Sequence, residues 1–330
     1  MTATRILPYL LALLPTAALS AEATLYLEND VMHGEDRDYT NGLRYAWISD
    51  NFVSSDTGCW EPVCQLTTGS LSAITGFDDP AEVRFSHGIS LTQLIYTPDD
   101  SKALTQPIGE RRYAGWLGLG FSLLAKDEQT LNLVEFIIGA TGPNAFAQET
   151  QDLVHQISDN NGYRGWDSQI PNEITADISF IQKRRLMLGG HPNFDGLIEY
   201  GARAGTFRTG AHLGGQVRWG FNLAPDFSDV RISETAYSHS SDSPATNWSP
   251  YLLLGGALRG VAHDATLDGP VFQSFDTGNR REPLIAEMFI GFGLRYRKAE
   301  LSYAHTRRSE EYSDQEGGSE VGSLAIRIRF

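Results

Sequence analysis

Gln151 and His155 stand one helical turn apart in this chain of 330 residues. At that spacing both side chains fall on one face of a helix, and histidine is the ordinary general base near neutral pH. Two upstream runs, Glu28-Asn29-Asp30 and Asp38-Tyr39-Thr40-Asn41-Gly42, gather carboxylate, amide and hydroxyl groups. Tyr96-Thr97-Pro98 is followed by a cationic and aromatic run, Arg111-Arg112-Tyr113-Ala114-Gly115-Trp116. Gly142-Pro143 precedes Gln151, and Gly165-Trp166-Asp167-Ser168-Gln169 with Asn172-Glu173 comes after His155. A paired cation such as Arg111-Arg112 suits a phosphorylated lipid. Each run also has a plainer reading. Asn-Asp and Thr-Asn-Gly are common turn chemistry, Tyr and Trp at a rim form interface belts, and the two arginines serve equally as lumen or rim charge. The other histidines, at 33, 87, 191, 212, 239, 263 and 305, are read as solvent-exposed. No Gly-x-Ser-x-Gly elbow occurs, and no Ser nucleophile is read beside His155, which favours attack by water over an acyl-enzyme.

The elements that must position these residues are strands. Alternation over about ten residues recurs, broken by Gly, Asp, Asn and Pro, and it is clearest in Ser319–Phe330. There Leu324, Ile326, Ile328 and Phe330 interleave with Ser323, Ala325, Arg327 and Arg329, as in the last strand of a barrel. The same pattern predicts twelve strands, at 23–30, 40–50, 86–97, 112–125, 129–140, 173–188, 193–206, 208–221, 249–262, 284–297, 298–309 and 319–330. The expected fold is all-β, a transmembrane antiparallel β-barrel of about 12 strands with a short helix in an outer loop. An even strand number returns both chain ends to one side, so all four polar clusters fall on the outer side. The helix is expected over 144–158, with Asn144 as its N-cap. Strands one and two are neighbours, which lets Asn29, Asp30 and Thr40 converge. The long connections 51–85 and 222–248 have no account from sequence; helices or extra strands are both open.

Arg5, the apolar stretch Ile6–Leu14 and the small residues from Thr16 to Ala21 have the form of an export signal. The expected division is a signal peptide at 1–21 and a barrel hydrolase domain at 22–330. Cys59 and Cys64 suit a small-loop disulfide in an oxidising compartment. With 41 acidic against 26 basic residues the formal charge is -15, which argues against a nucleic-acid partner.

Taken together and in order, these motifs resemble the outer-membrane lipid A 3'-O-deacylases. The resemblance spans nearly the whole chain after the signal. One departure is visible: the family's Arg-Pro-Tyr-Ala-Gly-Trp is here Arg111-Arg112-Tyr113-Ala114-Gly115-Trp116, without the Pro. The resemblance implies a site between barrel wall and loop helix at the outer face of a bacterial outer membrane. It also implies lipid A (lipopolysaccharide) as substrate, outer-membrane lipids as surroundings, and dependence on Ca2+. By matching position it makes His155, Gln151, Asn29, Asp30 and Thr40 the catalytic set, with His155 the base that activates water. Asp30 is the expected calcium ligand, with Asn29, Thr40 or backbone carbonyls as further oxygen donors, and the ion would stabilise the oxyanion. Arg111 and Arg112 are the candidate substrate-binding cations. The alternatives are a non-catalytic barrel, either a lipid binder or a narrow pore, and an outer-membrane phospholipase.

Overall fold

Strict alternation makes a strand show different side chains to its two sides. In the computed structural model of this chain those sides are a lumen and an outer wall. The structure describes residues 21–30, 38–53, 61–71, 77, 82–100, 103–107, 109–158, 164–188, 191–232 and 245–330. Twelve strands close on themselves: β1 (Ala21–Asn29), β2 (Asp38–Ser49), β3 (Arg84–Thr97), β4 (Ala114–Lys126), β5 (Thr130–Thr141), β6 (Ile174–Met187), β7 (Phe194–Gly205), β8 (Arg208–Gly220), β9 (Ala245–Asp264), β10 (Leu284–Arg297), β11 (Ala299–Arg308) and β12 (Ser319–Arg329). Every strand pairs antiparallel with its neighbours in sequence, and β12 returns to β1 from Glu22↔Arg329 to Asn29↔Gly322. The two ends of the described chain, Ala21 and Phe330, therefore lie at one rim. All twelve expected strands are present, β9 reaching further at its start, where Ala245 pairs with Arg297 beyond an irregularity in register, and at its end, where Asp264 pairs with Arg208.

On β12, Ser323, Ala325 and Arg327 are buried toward the lumen, whereas Ile326, Ile328 and Phe330 stand on the outer wall. The same division puts Leu119, Leu213, Leu252, Leu254, Ile290 and Phe292 outside, in an apolar band. A charged group facing lipid is expensive, so between the two rims charge is turned inward and paired there. Arg327 meets Glu300 at 3.1 Å and Glu22 at 3.4 Å. Arg44 meets Glu135 at 3.1 Å. His212, expected to be exposed, is buried because it sits on the inward row of β8.

The connection after β8 is not a simple turn. From Leu223 to Ile232 it enters the lumen and fills it. Asp226 takes Arg218 and, at 3.3 Å, Arg295; Asp229 takes Lys183 at 3.3 Å; Arg231 meets Glu287 at 3.3 Å and lies over the Phe289 ring. Phe227 and Val230 are buried between these charges. The segment starts near the chain-end rim, where the Phe221 N–H donates to the Pro250 carbonyl, and ends with the Ile232 N–H donating to Glu28 Oε1 at 2.6 Å. Glu28 is one residue from Asn29, so this plug reaches the underside of the far rim. Among the described residues the lumen is occupied, which leaves the pore reading without support.

The other long connection forms a helix, α1 (Glu61–Leu71), at the chain-end rim. Leu71 is fully buried with Phe52, Val83, Phe85, Leu123 and Ala125, so α1 covers the outer faces of β3 and β4 there. Cys59 lies outside the described residues, as does the side chain of Cys64, and with them the expected disulfide. No described helix is long and apolar enough to cross a membrane.

Candidate functional site

The candidate residues assemble at the far rim, on the outer wall. Along β1 the inward row is Tyr26 and Glu28, which places Asn29 outward. Asn29 Nδ2 donates to the Thr40 carbonyl at 3.1 Å, and the Asp30 N–H to the same oxygen at 3.4 Å. Asp30 is 2% exposed. On β2 the pairing slips between Tyr39 and Asn41, so Thr40 is the extra residue of a bulge. Tyr39 turns into the lumen, where its hydroxyl donates to Glu28 Oε2 at 2.8 Å; there it occupies the space that a Cβ on Gly42 would need. Such a bulge re-aims a side chain. Thr40 Oγ1 lies 2.6 Å from Thr97 Oγ1 at the end of β3. Thr97 shares the outward row of β3 with Ile95 and Gln93.

A helix lies across that row. Gly142, at φ +71°, opens a 3-10 turn (Gly142–Ala145); Phe146 follows in the left-handed region; then α2 runs over Ala147–Ser158. Asn144 is thus not the N-cap that the sequence suggested. It sits inside the 3-10 turn, where its N–H donates to Asn172 Oδ1 at 2.7 Å, and the left-handed Phe146 separates it from the helix. Gln93 Nε2 donates to the Ala145 carbonyl at 2.7 Å. A Cβ on Gly115 would stand only 2.6 Å from the Ala147 Cβ, so this glycine is what lets α2 approach the wall. The neighbours of Gly115 divide between the two faces. Tyr113 meets Trp166 outside at 5.0 Å between ring centroids, and Trp116 stacks on Phe207 inside at 4.2 Å.

Gln151 is 4% exposed, and its Oε1 accepts from Trp166 Nε1 at 3.1 Å. Trp166, Tyr113, Ile95 and Ala147 form one buried cluster between wall and helix. Gln151 therefore lies over the same outward row that carries Thr97 and, through it, Thr40, Asn29 and Asp30. His155 lies one turn further along α2; its side chain is outside the described residues. The sequence reading did not single out Thr97, Gln93 or Trp166 as site residues, although Thr97 and Trp166 stood inside the quoted motifs.

The two arginines part company. Arg111 is fully buried above the lumen: its Nη1 donates to Glu311 at 2.9 Å, its Nη2 to Thr266 Oγ1 at 2.7 Å, and its guanidinium lies 4.2 Å over the Tyr96 ring. Burial alone would raise the Glu311 carboxyl, but Arg308, Arg111 and Arg259 hold it below the usual glutamate range. Arg112 faces the loops, donating to the Ser168 carbonyl at 3.3 Å and the Asp276 carbonyl at 3.4 Å. Among the described residues no three His, Cys, Asp or Glu side chains gather as a metal site. What Asp30 and Thr40 offer is oxygen only, one buried carboxylate and a hydroxyl, since the Thr40 carbonyl already accepts from Asn29 Nδ2 and the Asp30 N–H.

A closed antiparallel barrel with an apolar outer band and a charged, filled lumen defines an outer-membrane β-barrel. This one adds a polar cluster on its outer wall, sheltered by a helix. A sequence model of the family described as Outer membrane protein LpxR matches residues 6–330, and the chain belongs to that family. Among solved structures, it is similar to LpxR from Salmonella typhimurium, with a TM-score of 0.70 at 18% identity over 94% of this chain and 99% of that one. Similarity to the β domain of the Bordetella autotransporter BrkA is lower, with a TM-score of 0.43 at 9% identity over 94% of this chain and 99% of that one. No curated protein sequence matches the chain.

Proposed function

We propose that the protein hydrolyses the 3'-linked acyloxyacyl ester of lipid A in the outer membrane, with its site at the outer face. One observation carries this reading: Thr40, Thr97, Gln93 and Gln151 are polar and buried on the lipid side of the wall, with Asn29 half-buried beside them, where α2 packs over β3 and β4. Polar groups on a barrel's lipid face are costly and call for a function. A site open to the membrane side also receives a lipid without extracting it into water. Exposed Phe146, Ile174 and Phe272 continue the apolar band around the site, where acyl chains can lie.

In this account His155 takes a proton from water as the water attacks the ester carbonyl, then returns it to the leaving 3'-oxygen. The products are the free acyloxyacyl fatty acid and lipid A bearing a 3'-hydroxyl. Asp30, with the Thr40 hydroxyl, would hold calcium; when bound, the ion would supply Lewis-acid stabilisation of negative charge on the carbonyl oxygen. Asn29 fixes the Thr40 carbonyl through its amide. Arg112 meets the phosphorylated headgroup, whereas Arg111, expected to do the same, is committed to Glu311 and Thr266 above the lumen and braces the rim instead. The family and the fold support a lipid A ester hydrolase; the assignment of base and metal rests on matched positions.

A calcium titration of fatty-acid release tests the metal. Activity is expected to need calcium and to disappear with chelator, and Asp30→Ala is expected to shift the titration to higher calcium. An unchanged titration in the variant removes Asp30 from the ion's site.

A further inference from the structure

Resting on the hydrolase reading, we infer that Trp166 is a positioning residue that locks the Gln151 side-chain amide so that its N–H2 group faces the ester, as a donor to the carbonyl oxygen that becomes an oxyanion. An amide can sit in either of two orientations that exchange its oxygen and nitrogen. The indole Nε1–H only donates. Facing it at 3.1 Å, Gln151 must therefore present Oε1, which turns Nε2 away from the tryptophan. That nitrogen is buried and has no hydrogen-bond partner, in a residue only 4% exposed. A buried donor without an acceptor calls for an explanation. The neighbouring chemistry supplies one, because the group gains its partner when an ester oxygen enters and gains most as that oxygen becomes negative.

Trp166 is built to hold still. It is 2% exposed and packs against Tyr113, and its own backbone is a short 3-10 turn. The Ser168 N–H donates to the Gly165 carbonyl at 2.9 Å, and the Ile170 N–H to the Tyr113 carbonyl at 3.0 Å. A Cβ on Gly165 would stand 2.4 Å from the Tyr113 ring, so glycine before the tryptophan allows this close seat.

The test is steady-state release of the 3' acyl group by wild type, Trp166→Phe, Gln151→Ala, Gln151→Glu and the double variant W166F/Q151A, each first shown to be a folded barrel. Gln151→Ala and Gln151→Glu should each lower kcat on the order of 10²-fold with KM little changed, because neither side chain donates. Trp166→Phe keeps the ring and frees the amide to turn, so kcat should fall about tenfold at unchanged KM. In the double variant the tryptophan change should add nothing to the loss from Gln151→Ala, whereas a merely structural tryptophan would cost the same again. Full losses that multiply in the double variant, or wild-type kcat in Trp166→Phe, overturn the positioning role. Wild-type kcat in Gln151→Glu overturns the donor itself, and decides the matter even if Trp166→Phe does not fold. An inactive wild type would instead contradict the hydrolase reading, with all variants equally silent.

Discussion

His155 carries most of the chemical burden in this account, and its replacement separates chemistry from folding. It belongs to a helix outside the wall, so His155→Ala should leave the barrel folded and lower kcat by about 10²- to 10⁴-fold, read as acyl release by a protein with unchanged heat resistance. Full activity in the variant would remove the base. Ser158 ends the same helix. If water is the nucleophile, Ser158→Ala keeps its activity; a covalent acyl-enzyme that disappears with this variant would reverse that conclusion. The chemistry-bearing residues were legible only through their order along the chain. Asn29-Asp30 and Thr40 alone read as turn residues, and the bulge that sends Thr40 outward toward Thr97 leaves no mark in the alternation. The pairing of Gln151 with Trp166 joins two motifs fifteen residues apart, and Trp166 read by itself was an interface aromatic.

At the level of elements, the approach of α2 to the wall depends on Gly115. Gly115→Val should push the helix outward, because the added Cβ meets Ala147, while β4 keeps its backbone pairing. Overpacking of this kind costs about 1–3 kcal/mol, but misplacing the catalytic helix by roughly 1 Å is expected to cost on the order of 10²-fold in activity. Wild-type turnover by a folded variant would show that the helix need not touch the wall. The plug is the second element to test. Asp226 lies between Arg218 and Arg295, and Asp226→Ala leaves both guanidiniums buried without that carboxylate. A loss of about 3 kcal/mol follows, to be read by thermal unfolding in detergent. Strands were legible because a wall between lipid and lumen enforces alternation along its whole length. The plug was not, since residues 223–232 have no period and their partners, such as Lys183, Glu287 and Glu28, are distant in the chain.

For the molecule as a whole, the far rim is held by charge as well as by strands. Arg111 bridges to Glu311 across the top of the lumen, and Glu311 also meets Arg308 and Arg259. Because the folded protein holds the Glu311 carboxyl below its ordinary value of 4.5, the stabilisation is fully present above that pH and is lost as pH falls through the depressed value. Limited proteolysis of the rim loops should therefore accelerate in acid, and Glu311→Gln should remove that dependence. The barrel and its signal of alternating strands placed the chain in the outer membrane from sequence alone. The filled lumen needed coordinates, and it directs attention to the outer wall as the working surface. The most direct measurement of the central claim is mass spectrometry of lipid A carrying the 3' acyloxyacyl ester, after incubation with wild type and His155→Ala in calcium and in chelator. The account predicts loss of the 3'-linked acyl group by wild type with calcium and in no other arm. Intact lipid A in the presence of folded wild type and calcium would contradict it, and would leave a barrel that binds lipid without cleaving it.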